Sequence, residues 1–216
     1  MGDRLRPLWD FDDLEGSERR FEEQLQKEAS DAGRAEVLTQ LARVQGLRGE
    51  FAAGDKLIDQ AEALSDGGAA VRARIQLERG RLRNSGGDPV AALALFEAAF
   101  QIAEEGGGPF LAADAAHMAA IASRHRKGKT EWTERGIRIA TESPDRDVSY
   151  WLGPLYNNLG WEYQDAGEYE AALDAFQCAL AARERYPEMP ALIQHAKEAV
   201  AEALRGTPLS SNLDDR

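Results

Sequence analysis

The sequence predicts an all-α protein made of stacked helix pairs, and three observations carry this. The first is composition: among 216 residues Ala occurs 37 times and Leu 23 times, whereas Val, Ile and Thr together occur 18 times. Helices favour Ala, Leu, Glu, Arg and Gln, and strands favour β-branched and aromatic residues, so a sandwich, a barrel or a large sheet is excluded. The second is self-similarity. Gly80, Gly87, Ala92, Phe96 and Ala99 recur 80 residues later as Gly160, Gly167, Ala172, Phe176 and Ala179. The third is punctuation: Gly49-Glu50, Gly87-Asp88, Gly106-Gly107-Gly108 and Gly167-Glu168 place turn formers between the helical patterns.

The elements follow in chain order. Residues 1–31 form an extension and a cap helix, with Phe21, Leu25 and Ala29 on one face of Ser17 to Ser30. A first helix pair spans 32–66, where Ala42, Gly49, Gly54, Ile58 and Ala61 match the Gly80 copy 38 residues upstream of it. The second pair spans 68–106. Its second helix opens with Asp88 as N-cap and Pro89 at the first helical position. The 80-residue offset leaves room for one degenerate pair at 109–143, carrying Ala112, Ala116, Ala119 and Ala120, then Trp132, Gly136, Ile137 and Ala140. Its phase stays open. The fourth pair spans 147–186. A cap helix follows at 187–205, with Ile193, Ala196, Val200 and Leu204 on one face, and 206–216 reads as a disordered tail. Pro109, Pro144 and Pro187 fall between helices, where they break none. One pair cannot bury both of its faces, so the pairs must stack and the ends need polar caps.

Tyr156, Leu159, Gly160, Tyr163, Ala172, Phe176 and Ala179 then make the chain resemble the tetratricopeptide repeat family, with Glu184 where the family often has Pro. The Gly80 copy departs from the pattern at Gln76, Arg79 and Arg83, and the first copy has Gly54 in place of Ala. The resemblance covers residues 32–186, and the strings Trp9-Asp10-Phe11, Gln45-Gly46-Leu47, Asp114-Ala115-Ala116-His117-Met118 and Leu155-Tyr156-Asn157-Asn158-Leu159-Gly160-Trp161 together resemble a set of bacterial members. It implies a right-handed α-solenoid of about four helix-turn-helix repeats with N- and C-terminal capping helices. It also implies a non-catalytic protein- or peptide-binding module whose first helices line a concave groove, serving as scaffold, adaptor or regulator.

Carried over residue by residue, the family's ligand-facing positions fall on Arg43, then Arg74, Arg81 and Asn84 beside Leu77, then Asp114 beside Met118, then Asn157, Trp161 and Gln164. Arg43 and Arg81 hold the same repeat position and are expected along one wall. Two guanidinium groups there suit a carboxylate, which implies an acidic or C-terminal peptide segment as partner. The competing reading pairs these arginines with glutamates across repeats and gives Trp161 a packing role.

Charge and motifs narrow the function classes. A net charge of −12 disfavours nucleic acid and anionic membrane surfaces. No segment has the length and apolarity of a membrane span. The start of the chain has no apolar leader core, and Arg6 stands where myristoylation wants Ser or Thr. The single Cys178 permits no internal disulfide, fits the cytoplasm, and beside Ala179 is expected to be buried and inert. No metal or cofactor is expected. His117 and His125 are eight apart rather than four, and Gly128-Lys129-Thr130 lacks the glycine and the preceding strand of a phosphate loop. Asp114 and His117, at i and i+3, form the one alternative catalytic pair, without an evident nucleophile. Self-association through the end helices is the other alternative.

Overall fold

The structure is a computed structural model that describes residues 3–65 and 67–205. Every regular element among them is helical. A 3-10 turn, Arg6–Leu8, precedes α1 (Leu14–Lys27), α2 (Asp31–Leu47), α3 (Phe51–Leu64), α4 (Ala69–Ser85) and α5 (Pro89–Glu105). Next come α6 (Pro109–Ala122), α7 (Arg126–Glu142), the four-residue α8 (Arg146–Ser149), α9 (Leu152–Asp165), α10 (Tyr169–Arg183) and α11 (Pro190–Ala203). The tail expected at 206–216, and Gly2, lie outside the described residues.

The helices pair as α2 with α3, α4 with α5, α6 with α7 and α9 with α10. Successive pairs join through α3 on α4, α5 on α6 and α7 on α9, and α2 also lies along α4. The end helices α1 and α11 cover α2 and α10. No helix among the described residues is long and apolar enough to cross a membrane.

Local chemistry sets the turns. Asp13, Ser30 and Asp88 accept from backbone N–H groups in the first turns of α1, α2 and α5. Gly49, Gly87 and Gly167 have φ of +80°, +88° and +75°, a region open to glycine without strain. The acid after each sends its N–H back to the helix it leaves: Glu50 to Gln45, Asp88 to Arg83 and Glu168 to Tyr163, all at 2.9 Å. The third pair has no such glycine. There Ser123 is extended and its hydroxyl caps Ala119 O at 2.7 Å, which is why this copy is faint in sequence.

The repeated small residues are places of close approach. A Cβ on Gly80 would sit 2.5 Å from the Phe96 ring, and one on Gly160 the same distance from Phe176. Gly54 and Gly136 do the same between pairs, with a Cβ meeting Leu82 at 2.7 Å and Leu155 at 2.8 Å. Phe96, Phe176, Leu82 and Leu155 are all essentially buried. The buried apolar seam runs along the chain, from Phe21 through Leu41, Ile58, Phe96 and Leu155 to Phe176.

Two expectations need correcting: the cap helix expected over Ser17 to Ser30 is Leu14–Lys27, so Ala29 lies exposed past its end, and Cys178 is not buried. Cys178 sits one residue, about 100° of helix, away from the buried Ala179. The α8 turn has no counterpart in the other pairs and was not legible in the repeat pattern. Gly128-Lys129-Thr130 falls inside α7, and Lys129 Nζ donates to Glu162 at 2.8 Å.

Candidate functional site

Helical periodicity brings one face each of α2, α4 and α6 to a common recess of about 390 Å³. Gln40 and Arg43 come from α2. Arg74, Glu78, Arg81 and Ser85 follow one face of α4 at steps of four, three and four. Phe110, Asp114, His117 and Ile121 do the same on α6. Leu192 of α11, Pro154 of α9 and Arg183 of α10 complete the far side, with Tyr150 and Trp151 between α8 and α9.

The near wall is the N-terminal segment, which crosses this face. Asp3 accepts from Arg74 Nη2 at 2.6 Å, with both side chains under 10% exposed. Arg6 donates to Asp147 at 2.7 Å and lies 4.0 Å over the Tyr150 ring. Leu5 is buried, and Trp9 Nε1 donates to Gln40 at 2.9 Å. Phe11 stacks on Trp9 with ring centroids 4.9 Å apart and planes 6° from parallel. The segment expected only to lead into a cap helix therefore latches α2, α4 and α8 together.

Charges in the recess divide into paired and unpaired. Arg81 donates to Glu78 at 2.6 Å and to Asp114, binding α4 to α6. Burial pushes Glu78 above the usual carboxylate range despite the arginines near it, and its Oε2 is buried without a hydrogen-bond partner. Burial likewise opposes the charge on Arg81, yet Asp114 and Glu78 hold its pKa above the ordinary arginine value. Arg43 has no such anchor. Its guanidinium lies 5.2 Å over both the Trp9 and Phe11 rings. Burial and the like charge of Arg81 lower its pKa. Among the described residues neither Arg43 nor Arg183 is hydrogen-bonded or ion-paired through its guanidinium, although both line the recess.

His117 is pushed down to about 4, first by burial and then by Arg81, Arg183 and Arg43, with Asp114 opposing. The imidazole is neutral at pH 7. Asn158 donates to its Nδ1 at 3.2 Å, which puts the ring proton on Nε2. Asp114 is taken by Arg81, and no hydrogen bond among the described residues joins it to His117. The two residues of the alternative catalytic pair thus stand side by side with different partners. No group of three or more metal-ligating side chains occurs among the described residues.

Of the residues singled out in sequence, Arg43, Arg74, Arg81, Asn84, Asp114 and Met118 line the recess, with Leu77 buried behind them. Asn157, Trp161 and Gln164 do not. Trp161 packs edge-on against Phe176 at 5.2 Å, and Asn157 and Gln164 are buried. On the fourth pair, α9 packs chiefly on α7 and α10 and meets the recess through Pro154 and the Asn158–His117 bond rather than through these three residues. Sequence reasoning missed Asp3, Arg6, Glu78 and Arg183. The apolar residues Leu5, Leu8, Trp9 and Phe11, set among charged ones in the extension, were the available signal.

No family model matches the chain, and no curated protein matches it in sequence. Among solved structures it is similar to the crystal structure of BtubC (BKLC) from P. vanneervenii, at a TM-score of 0.63 and 16% identity, covering 99% of each chain.

Proposed function

We propose that the chain is a right-handed tetratricopeptide-like α-solenoid of four helix-turn-helix repeats with capping helices, acting without catalysis in the cytoplasm. It binds a protein or peptide segment on its concave face as a scaffold, adaptor or regulator. The observation that carries this reading is the Arg43 guanidinium, held over two aromatic rings in the recess and, among the described residues, without an ion-pair partner. Such a group favours an acidic partner segment.

The pairing of Arg81 decides which variant tests the reading. Arg81→Glu sets a third carboxylate beside Glu78 and Asp114 and unfolds the site, whereas Arg43→Glu does not break an ion pair. A partner captured by the wild-type chain from its source cell is expected to be lost in Arg43→Glu, with helical circular dichroism unchanged. A partner retained by Arg43→Glu but lost on altering the exposed Val90 of α5 overturns the assignment to this face.

A further inference from the structure

We infer that the recess is also a binding site for a small acidic molecule, one bearing a carboxylate or phosphate on a flat apolar body, held between Arg43 and Arg183. This goes beyond the partner reading and does not require it.

Four observations meet in this assignment. The recess volume, about 390 Å³, lies in the range of pockets that enclose small ligands. The N-terminal segment, latched at Arg74 and Asp147, walls one side of the recess. Its polar groups are sorted by type. The three carboxylates on the lining, Asp3, Glu78 and Asp114, each accept from an arginine, and the two guanidinium groups left over are Arg43 and Arg183. An arginine has donors only, so what it lacks is an acceptor, and a planar oxyanion takes two of its N–H groups at once. Arg183 is 9% exposed, and among the described residues no carboxylate pairs with its guanidinium. In a chain of net charge −12 this leftover positive charge is confined to one walled volume.

The rest of the ligand is set by the walls. Trp9 and Phe11 present parallel rings, Phe110 and Ile121 add apolar surface from α6, and Trp151 adds more from the turn between α8 and α9. His117, neutral at pH 7, adds no charge to compete with the arginines. A flat apolar body with one oxyanion satisfies these surfaces together, and a neutral molecule of equal shape leaves both guanidinium groups unanswered.

The test uses the full chain and four probes: naphthalene-2-carboxylate, 2-naphthyl phosphate, naphthalene-2-carboxamide and inorganic phosphate. Binding is read from the fluorescence of Trp9 and Trp151 and from the melting temperature. At least one naphthyl anion is expected to bind saturably and raise the melting temperature, and the one that binds identifies the headgroup. The carboxamide is expected to bind at least about tenfold more weakly, the loss of one charge-assisted contact. Arg43→Met and Arg183→Met are each expected to weaken the anion by about tenfold. Equal binding of anion and carboxamide overturns the proposal, as does anion binding unchanged in both variants. Binding of an acidic peptide with no response to any naphthyl probe overturns it too, while supporting the partner reading. Inorganic phosphate binding as tightly as the naphthyl anions removes the apolar half of the assignment.

Discussion

Gly80→Ala puts a methyl group where the second pair has its closest internal approach. The added Cβ meets Phe96 at 2.5, 2.7 and 3.1 Å, all atoms of one ring that is fully buried. A rigid buried ring cannot swing aside as a surface side chain does, so the helices must separate. Relieving overpacking of this kind costs about 1–3 kcal/mol. Alanine recovers about 1 kcal/mol of helix propensity, leaving a net loss of up to about 2 kcal/mol. For a chain of this size that is a melting temperature lower by up to about 8 °C. Gly128→Ala is the control, since it too lies in a helix but its Cβ meets only Ser123, at 3.4 Å, and it is expected to stabilise by up to about 1 kcal/mol. Urea melts of Gly80→Ala, Phe96→Leu and the double variant complete the assay. The pair is expected to couple by at least about 0.5 kcal/mol, the smaller leucine side chain making room for the methyl group. A more stable Gly80→Ala with no coupling to Phe96 refutes the close-packed repeat geometry.

Other predictions follow from the recess. Arg81→Met leaves Asp114 and Glu78 buried without their shared cation and is expected to destabilise by about 3–5 kcal/mol, with part regained on adding Asp114→Asn, as read by urea midpoints. The His117 pKa lies below its unfolded value, so the unfolded chain binds the extra proton first; this residue's contribution is intact above about pH 6.5 and falls as the pH drops toward 4. Stability of His117→Gln is therefore expected to fall less steeply than wild type between those values, and an identical slope contradicts the assignment. Asp3→Asn removes the acid from the buried Arg74 pair and is expected to speed tryptic cleavage after Arg4 with helical content retained. Cleavage at the wild-type rate means that this latch does not hold the segment.

The helical class and the pairing were legible because they rest on patterns that physics repeats. Gly80 and Gly160 recur because Phe96 and Phe176 cross there, and Gly49, Gly87 and Gly167 recur because each turn needs positive φ. Within the site, Arg43, Arg74, Arg81 and Asp114 were reachable from their repeat positions. Trp161 was not, because its ring packs on Phe176 and α9 reaches the recess through Pro154 instead. The N-terminal wall was invisible to repeat logic altogether. Its contacts join residues up to 141 positions apart and obey no period. Sequence could place Arg43 and Arg81 in one wall, but only the packing of α4 on α6 decides that Arg81 is neutralised and Arg43 is not.

The four tryptophans offer the most direct measurement of whether this recess is the binding site. Trp9 and Trp151 line it, whereas Trp132 packs on Phe100 and Trp161 on Phe176, outside it. A 15N-labelled chain titrated with naphthalene-2-carboxylate and 2-naphthyl phosphate, or with the acidic tail of a captured partner, is predicted to shift the Trp9 and Trp151 indole signals and leave the other two in place. Indole signals that all stay fixed, or shifts confined to Trp132 and Trp161, contradict the account.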